Sequence, residues 1–191
     1  CWLLFTSFVM EPTCESRPLI FPPDLLDQLQ SLKVAPWEGI VYRHMLGDYP
    51  PERANTRGAR WNPPEVAAVY TSLNRETALA EAEYRLGLEP FRPRIKRVIY
   101  AIRVKLLEVI DLSGREDLAK LGIAKTDFEG FDFTACQLIG GAAQWLGSDG
   151  MLVPSARHRG TNLVIYDLVI YEFNMSPEGE FAVISDEVLS E

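Results

Sequence analysis

The chain has 191 residues, of which 47% are hydrophobic, 24% charged and 10% aromatic. These values exclude disordered, collagen-like and low-complexity classes, and they fit one domain of ordinary size that buries enough surface to fold without staples. Nineteen Lys and Arg face 27 Asp and Glu, a net charge of −8 that disfavours nonspecific binding to nucleic acid or to an anionic membrane.

The chain opens CWLLFTSFVM, with no charge in ten residues. This run lacks the basic start and Ala-x-Ala exit of a signal peptide and is too short to cross a bilayer. Residues 1–20 are therefore read as an N-terminal extension that is not expected to be native before Met10. No other apolar run reaches membrane length, so a cytoplasmic protein without membrane contact is expected. A helix is predicted from Pro23 to Leu32, where DLLDQLQSL has helical apolar spacing after a Pro pair. Gly39 to Met45 reads as a strand. Leu46 to Pro64 is irregular and rich in Gly and Pro, and loops of that length in a compact domain tend to be functional.

Val66 to Ser72 reads as a strand, followed by a helix from Arg75 to Leu86 that is capped by Asn74 and closed by Gly87. Arg92 to Leu107 contains a long strand, Val109 to Leu112 a short one, and Gly114 to Leu121 a short helix. Thr134 to Leu146 is an apolar helix, Gly150 to Pro154 a strand, and Asn162 to Phe173 a long apolar strand. Residues 21–175 form the domain, and residues 176–191 are read as an acidic C-terminal tail with a last strand at Phe181 to Ile184. Strands exceed helices without regular alternation, which points to α+β with a mixed or antiparallel sheet.

Cys1, Cys14 and Cys136 cannot build a disulfide framework or a four-cysteine zinc site, and His44 and His158 have no metal-ligand spacing, so no metal is expected. The chain has no Gly-x-Gly-x-x-Gly fingerprint, no Walker A loop and no Gly-x-Ser-x-Gly elbow. Any catalysis must run on Arg, Tyr, Glu and Ser. Arg92 to Lys105 holds six basic residues and no acid. Without interleaved aromatics this is read as a guarded sheet edge rather than a nucleic-acid footprint.

Three segments carry the chemistry. Tyr42-Arg43-His44 places an Arg in or at the end of a strand. GARWNPPEVAAVYTS holds Arg60 and Tyr70 and runs into ETALAEAEY with Glu81. LVPSARHRGTNLVIY holds Ser155 after one strand and Asn162 at the start of the next. In this order, over Tyr42 to Phe173, they resemble the RES domain family, named for its Arg, Glu and Ser. The resemblance implies an ADP-ribosyltransferase-like fold, a split mixed sheet with flanking helices and a cleft for NAD⁺. It also implies a toxin that depletes NAD⁺ and arrests growth, neutralised by a cognate antitoxin with an Xre-like DNA-binding region.

The same resemblance assigns Arg43 and Arg60 to the dinucleotide, whose pyrophosphate suits bidentate guanidinium groups. A structural salt bridge is the plainer role for either. Tyr70 matches a Tyr near the nicotinamide, with core packing as the alternative. Glu81 matches the family glutamate. Cleavage of the nicotinamide–ribose bond passes through an oxocarbenium-like state that a carboxylate stabilises, and nicotinamide leaves neutral without a general acid. The helical wheel alone does not distinguish Glu81 from Glu76 and Glu83. Ser155 and Asn162 are candidates for phosphate or ribose contacts, or for holding the loop, with Arg157, His158 and Arg159 behind them. His44 is read as a packing or rim residue.

Three functions follow as expectations: NAD⁺ glycohydrolase or a related NAD⁺-cleaving toxin, an ADP-ribosyltransferase acting on a protein, and a catalytically silent RES-fold binding module. A homodimer is left open. The charge is uneven: Gly160 to Glu191 holds seven acids and no base, whereas Val41 to Arg60 holds four arginines against two acids. A basic cleft for one dianionic dinucleotide is compatible with that distribution. Direct DNA binding by this chain is not, and any DNA contact is assigned to the antitoxin.

Overall fold

A computed structural model describes residues 20–64, 66–91, 94–166 and 179–189. Helix α1 (Pro23–Ser31) leads into strand β1 (Val34–Leu46). Strand β2 (Ala68–Ser72) precedes helix α2 (Arg75–Gly87), and β3 (Arg97–Asp111) follows. Three helices, α3 (Arg115–Lys120), α4 (Lys125–Glu129) and α5 (Thr134–Trp145), come next. The chain then forms β4 (Gly150–Pro154), β5 (Thr161–Tyr166) and β6 (Glu180–Leu189).

The strands run in the order β1-β2-β5-β4-β3-β6, and β1 also pairs with β3. The hydrogen-bonded circuit β1-β2-β5-β4-β3 therefore closes on itself, with β6 outside it. Every pair is antiparallel except β3 with β4, which makes the sheet mixed. Closure depends on a single pair between β1 and β2, Tyr42 with Ser72. Beyond it β1 continues to Leu46 along β3 alone, and β1 and β2 splay apart. That split opens the site described below.

Two apolar clusters hold the fold. Val41, Val69, Ile102, Val104, Leu106, Val109, Leu163 and Ile165 fill the inside of the strand circuit. The second cluster lies between the strands and the helices. Leu25 and Leu29, one turn apart on α1, join Cys136, Ile139, Ala142 and Ala143 of α5 against Ile110, Met151 and Val164. Fully burying a side chain such as Leu29 or Ile139 stabilises the fold by about 1.5–3 kcal/mol. Helix α5 sits so close to the loop before β2 that a Cβ on Gly140 would lie 1.9 Å from the Trp61 carbonyl oxygen. Only glycine permits that approach.

Several elements differ from the sequence reading. Strand β1 begins at Val34, five residues before Gly39, because a register shift between Ala35 and Trp37 absorbs Pro36 within the ladder. The two strands expected within Arg92–Leu107 and at Val109–Leu112 are one continuous strand, β3. Asn74 occupies the cap position of α2 without a side-chain cap bond, and Gly87 is the last helical residue rather than a left-handed terminator. Helix α4 carries no apolar periodicity long enough to announce it. The last strand runs Glu180–Leu189, past the expected Phe181–Ile184, and the apolar strand opening near Asn162 is described only to Tyr166. Cys1 and Cys14 lie outside the described residues.

The basic run is not a sheet edge. Strand β3 is flanked by β1 on one side and by β6 on the other, and β6 brings acids to it. Glu180 stands 3.9 Å from Arg103, and Glu187 of β6 accepts two hydrogen bonds from Arg75 of α2 at 2.8 and 2.9 Å. Strand β6 thus sets Glu180 against the basic stripe and Glu187 against α2. Exposed pairs of this kind contribute little individually, about 0–1 kcal/mol, but they favour β6 in this register.

Candidate active site

Glu81 lies in the middle of α2, whose buried Thr77, Ala78 and Leu86 seat the helix against the strands. Its Oε1 accepts a hydrogen bond from Ser155 Oγ at 2.5 Å and one from Asn162 Nδ2 at 3.1 Å. Among the described residues, none falls on Oε2. Asn162 is held in turn: its Oδ1 accepts from Ser72 Oγ at 2.7 Å. Ser155, only 2% exposed, accepts from the backbone N–H groups of Arg157 and His158, both at 3.1 Å. Every donor on the carboxylate is therefore positioned by a second bond, which fixes Glu81 Oε1.

The turn carrying Ser155 packs on α2 through Gly160 and Thr77. A Cβ at Gly160 would meet Thr77 Oγ1 at 2.0 Å, so glycine is required there as well. Thr77 Oγ1 also stands 2.9 Å from His158 Nδ1. The turn is closed by a bond from Ser155 N–H to the Gly160 carbonyl at 2.8 Å.

Tyr70 projects from β2 beside Glu81. Its hydroxyl donates to Asn62 Oδ1 at 2.7 Å and accepts from the Trp61 N–H at 2.9 Å. Burial pushes the phenol well above its ordinary pKa, so it stays neutral. Asn62 is fully buried, and its Nδ2 donates to the carbonyls of Asn55 and Val66 at 3.0 and 2.6 Å. The irregular loop between β1 and β2 is thus stapled to the site. Arg43 staples it a second time, donating to the carbonyls of Pro51 and Arg53, each at 2.6 Å. Burial, with Arg85 nearby, lowers the Arg43 pKa to about 10, which leaves it charged at neutral pH.

Two clefts meet at these residues. The larger, about 500 Å³, lies where β1 and β2 part and is lined by Tyr42, Arg43, His44, Tyr49, Phe91 and the α2 face. The smaller, about 290 Å³, is lined by Arg60, Tyr84, Phe133, Arg157 and their neighbours. Tyr70, Glu81, Arg85 and Asn162 border both. Arg60 is wedged between rings, 4.5 Å from the centroid of Phe133 and 5.5 Å from that of Phe128, and donates to the Gly130 carbonyl at 3.2 Å. His44 Nε2 accepts from Arg97 Nε at 3.2 Å, and burial together with that cation lowers its pKa to about 4.

Of the residues singled out from sequence, Glu81, Tyr70 and Asn162 come together at the junction. Ser155 stands behind Glu81, Arg43 lies on the larger-cleft side and Arg60 on the smaller-cleft side. Arg159 is exposed and lines neither cleft. Sequence reasoning missed Arg85, Asn62 and Ser72. Arg85 had a signal, since it stands four residues after Glu81 on the same helical face. Asn62 and Ser72 lie within the segment GARWNPPEVAAVYTS, but their roles were not legible because their partners are set by loop and strand pairing. Among the described residues, no three His, Cys, Asp or Glu approach closely enough to hold a metal ion, and no helix is long and apolar enough to cross a membrane.

An α+β protein with a mixed, self-closing sheet and a carboxylate fixed by Ser and Asn over a split between strands defines a narrow class. The RES domain model matches residues 33–182, and the chain belongs to that family. It is 30% identical over 122 residues to the NAD(+) phosphorylases MbcT of Mycobacterium bovis and Mycobacterium tuberculosis. The match covers 61% of this chain and spans 65% of the length of those relatives. The fold is similar to that in the crystal structure of the M. tuberculosis MbcT–MbcA toxin–antitoxin complex. The TM-score is 0.77 at 24% identity, covering 88% of this chain and 93% of that one.

Proposed function

We propose that this chain is an NAD⁺-consuming toxin that breaks the nicotinamide–ribose bond and transfers ADP-ribose to phosphate or water. In this reading the fold is ADP-ribosyltransferase-like and NAD⁺ occupies the larger cleft, with the ribose at Glu81 where the smaller cleft begins. The observation that carries it is the Glu81 carboxylate, locked by Ser155 and Asn162 through one oxygen and bordering both clefts. The similarity to proteins named NAD(+) phosphorylase supports the same substrate.

The chemistry needs little else. The bond from the ribose anomeric carbon to the pyridinium nitrogen breaks, and its electron pair stays with nicotinamide, which departs neutral. The anomeric carbon develops positive charge, which the fixed carboxylate stabilises, and an oxygen of phosphate or water then bonds to that carbon. Glu81 is already oriented, so no reorganisation is spent at the moment of reaction. Tyr70, held by Asn62 and the Trp61 N–H, presents a ring to the pyridinium, and Arg43 supplies positive charge on the larger-cleft side for the pyrophosphate.

A toxin of this kind acts in the cytoplasm and requires a neutralising partner. The solved complex of MbcT with MbcA supports a protein antitoxin here, and we propose for that partner an Xre-like DNA-binding region. The test is an NMR assay of NAD⁺ with purified chain free of any partner, with and without phosphate. Release of free nicotinamide is expected. Intact NAD⁺ under both conditions overturns the proposal, and transfer of ADP-ribose to a protein alone would establish the transferase instead.

A further inference from the structure

The two clefts differ in charge. The larger is lined by Arg43 and Arg85 against Glu81 and Glu89, with His44 held neutral by its low pKa, and it is walled by Tyr42, Tyr49 and Phe91. The smaller has Arg60, Arg85 and Arg157 against Glu81 alone. Three guanidinium groups around about 290 Å³ repel one another with only Glu81 to offset them; burial lowers the pKa of Arg60 and Arg157 lowers it further, while Cys136 and Glu81 act the other way.

Two of the arginines are held in place. Arg157 lies 3.7 Å over the Tyr84 ring and donates to the Glu129 carbonyl at 3.1 Å, while Arg60 donates to the adjacent Gly130 carbonyl. One loop therefore orients both. Arg85, one turn from Glu81, makes no hydrogen bond or ion pair through its guanidinium among the described residues. Water needs no such cluster, whereas a small polyanion beside a developing carbocation does.

Resting on the function proposed above, we propose that the smaller cleft is the acceptor site, a seat for inorganic phosphate formed by Arg85 and Arg157 with Arg60. Phosphate held there lies beside Glu81, on the side of the junction away from the neutral, aromatic cleft that suits a nucleoside. One phosphate oxygen bonds to the anomeric carbon as the bond to nicotinamide breaks, giving neutral nicotinamide and an ADP-ribose 1″-phosphate. Arg85 acts here as a specificity-determining residue.

The experiment measures nicotinamide release against phosphate and against NAD⁺ for wild type, Arg85→Ala, Arg85→Lys and Arg157→Gln, with thermal melting as the fold control. A parallel ³¹P NMR titration of inorganic phosphate without NAD⁺ reads binding directly. The expected result is an increase of about tenfold or more in KM for phosphate in Arg85→Ala, with KM for NAD⁺ near wild type and partial rescue by Arg85→Lys. Arg157→Gln, whose packing on Tyr84 carries some risk to folding, is judged only if it melts like wild type. A rise in KM for NAD⁺ alone assigns the arginines to the dinucleotide pyrophosphate and overturns the proposal, as does turnover that is independent of phosphate. If no acceptor supports NAD⁺ turnover, the proposed function fails. Phosphate binding that is lost in Arg85→Ala would still uphold the anion site, and its absence from wild type would overturn that too.

Discussion

Replacing Glu81 by Gln tests the proposed chemistry most directly. The amide has the volume of the carboxylate and retains an oxygen to accept from Ser155 Oγ and Asn162 Nδ2, so the network that seats the side chain survives. The lost quantity is the charge. Two unit charges about 4 Å apart at an effective dielectric of about 20 attract by about 4 kcal/mol, which corresponds to a rate factor of about 10³. The same size is typical for removal of one preorganised electrostatic group from an active site. The assay is nicotinamide release at saturating NAD⁺ and phosphate, with a thermal melt beside it. A fall in kcat of about 10²–10³ with little change in KM and in Tm is expected. If the variant melts like wild type and retains kcat within about tenfold, the carboxylate does not face the developing charge and the reasoning fails.

Other perturbations test the scaffold around it. Ser155→Ala removes the donor to Glu81 and leaves the Arg157 and His158 N–H groups without their acceptor, so a loss of about 1–3 kcal/mol in urea unfolding is expected, together with lower kcat. Gly140→Ala drives a methyl into the Trp61 carbonyl, and its Tm should drop by about 5 °C or more, since overpacking costs about 1–3 kcal/mol or above. An unchanged melt would mean that α5 does not lie against the loop. His44 is neutral in the folded protein down to about pH 4 but titrates near 6.5 when unfolded. The unfolded state therefore takes up the proton first, and stability is complete above about pH 6.5 and declines toward pH 4. In His44→Gln that part of the decline should vanish, and identical pH profiles for the two proteins would refute the burial of the ring.

The sequence carried the local elements and the chemical vocabulary. Periodicity marked α1 because it buries one stripe, Asn74 and Gly87 bracketed α2, α5 showed as an apolar run buried along Ile139 to Ala143, and β4 was legible at both ends because a short apolar run stands between an Asp-Gly and a Pro. The ordered set Arg43, Arg60, Tyr70, Glu81, Ser155 and Asn162 was readable because it sits in short motifs beside recognisable strands. Tertiary structure alone decided which of these groups meet. Glu76, Glu81 and Glu83 are alike on a helical wheel, and Glu81 is distinguished only because a turn 74 residues later and a strand 81 residues later bring Ser155 and Asn162 to its carboxylate. The basic run in β3 looked like an edge because its acidic neighbour, β6, is remote in sequence. Arg85 had no motif at all. Its place between two clefts depends on a single pairing of Tyr42 with Ser72, since that is where the strand circuit closes and, just beyond it, opens.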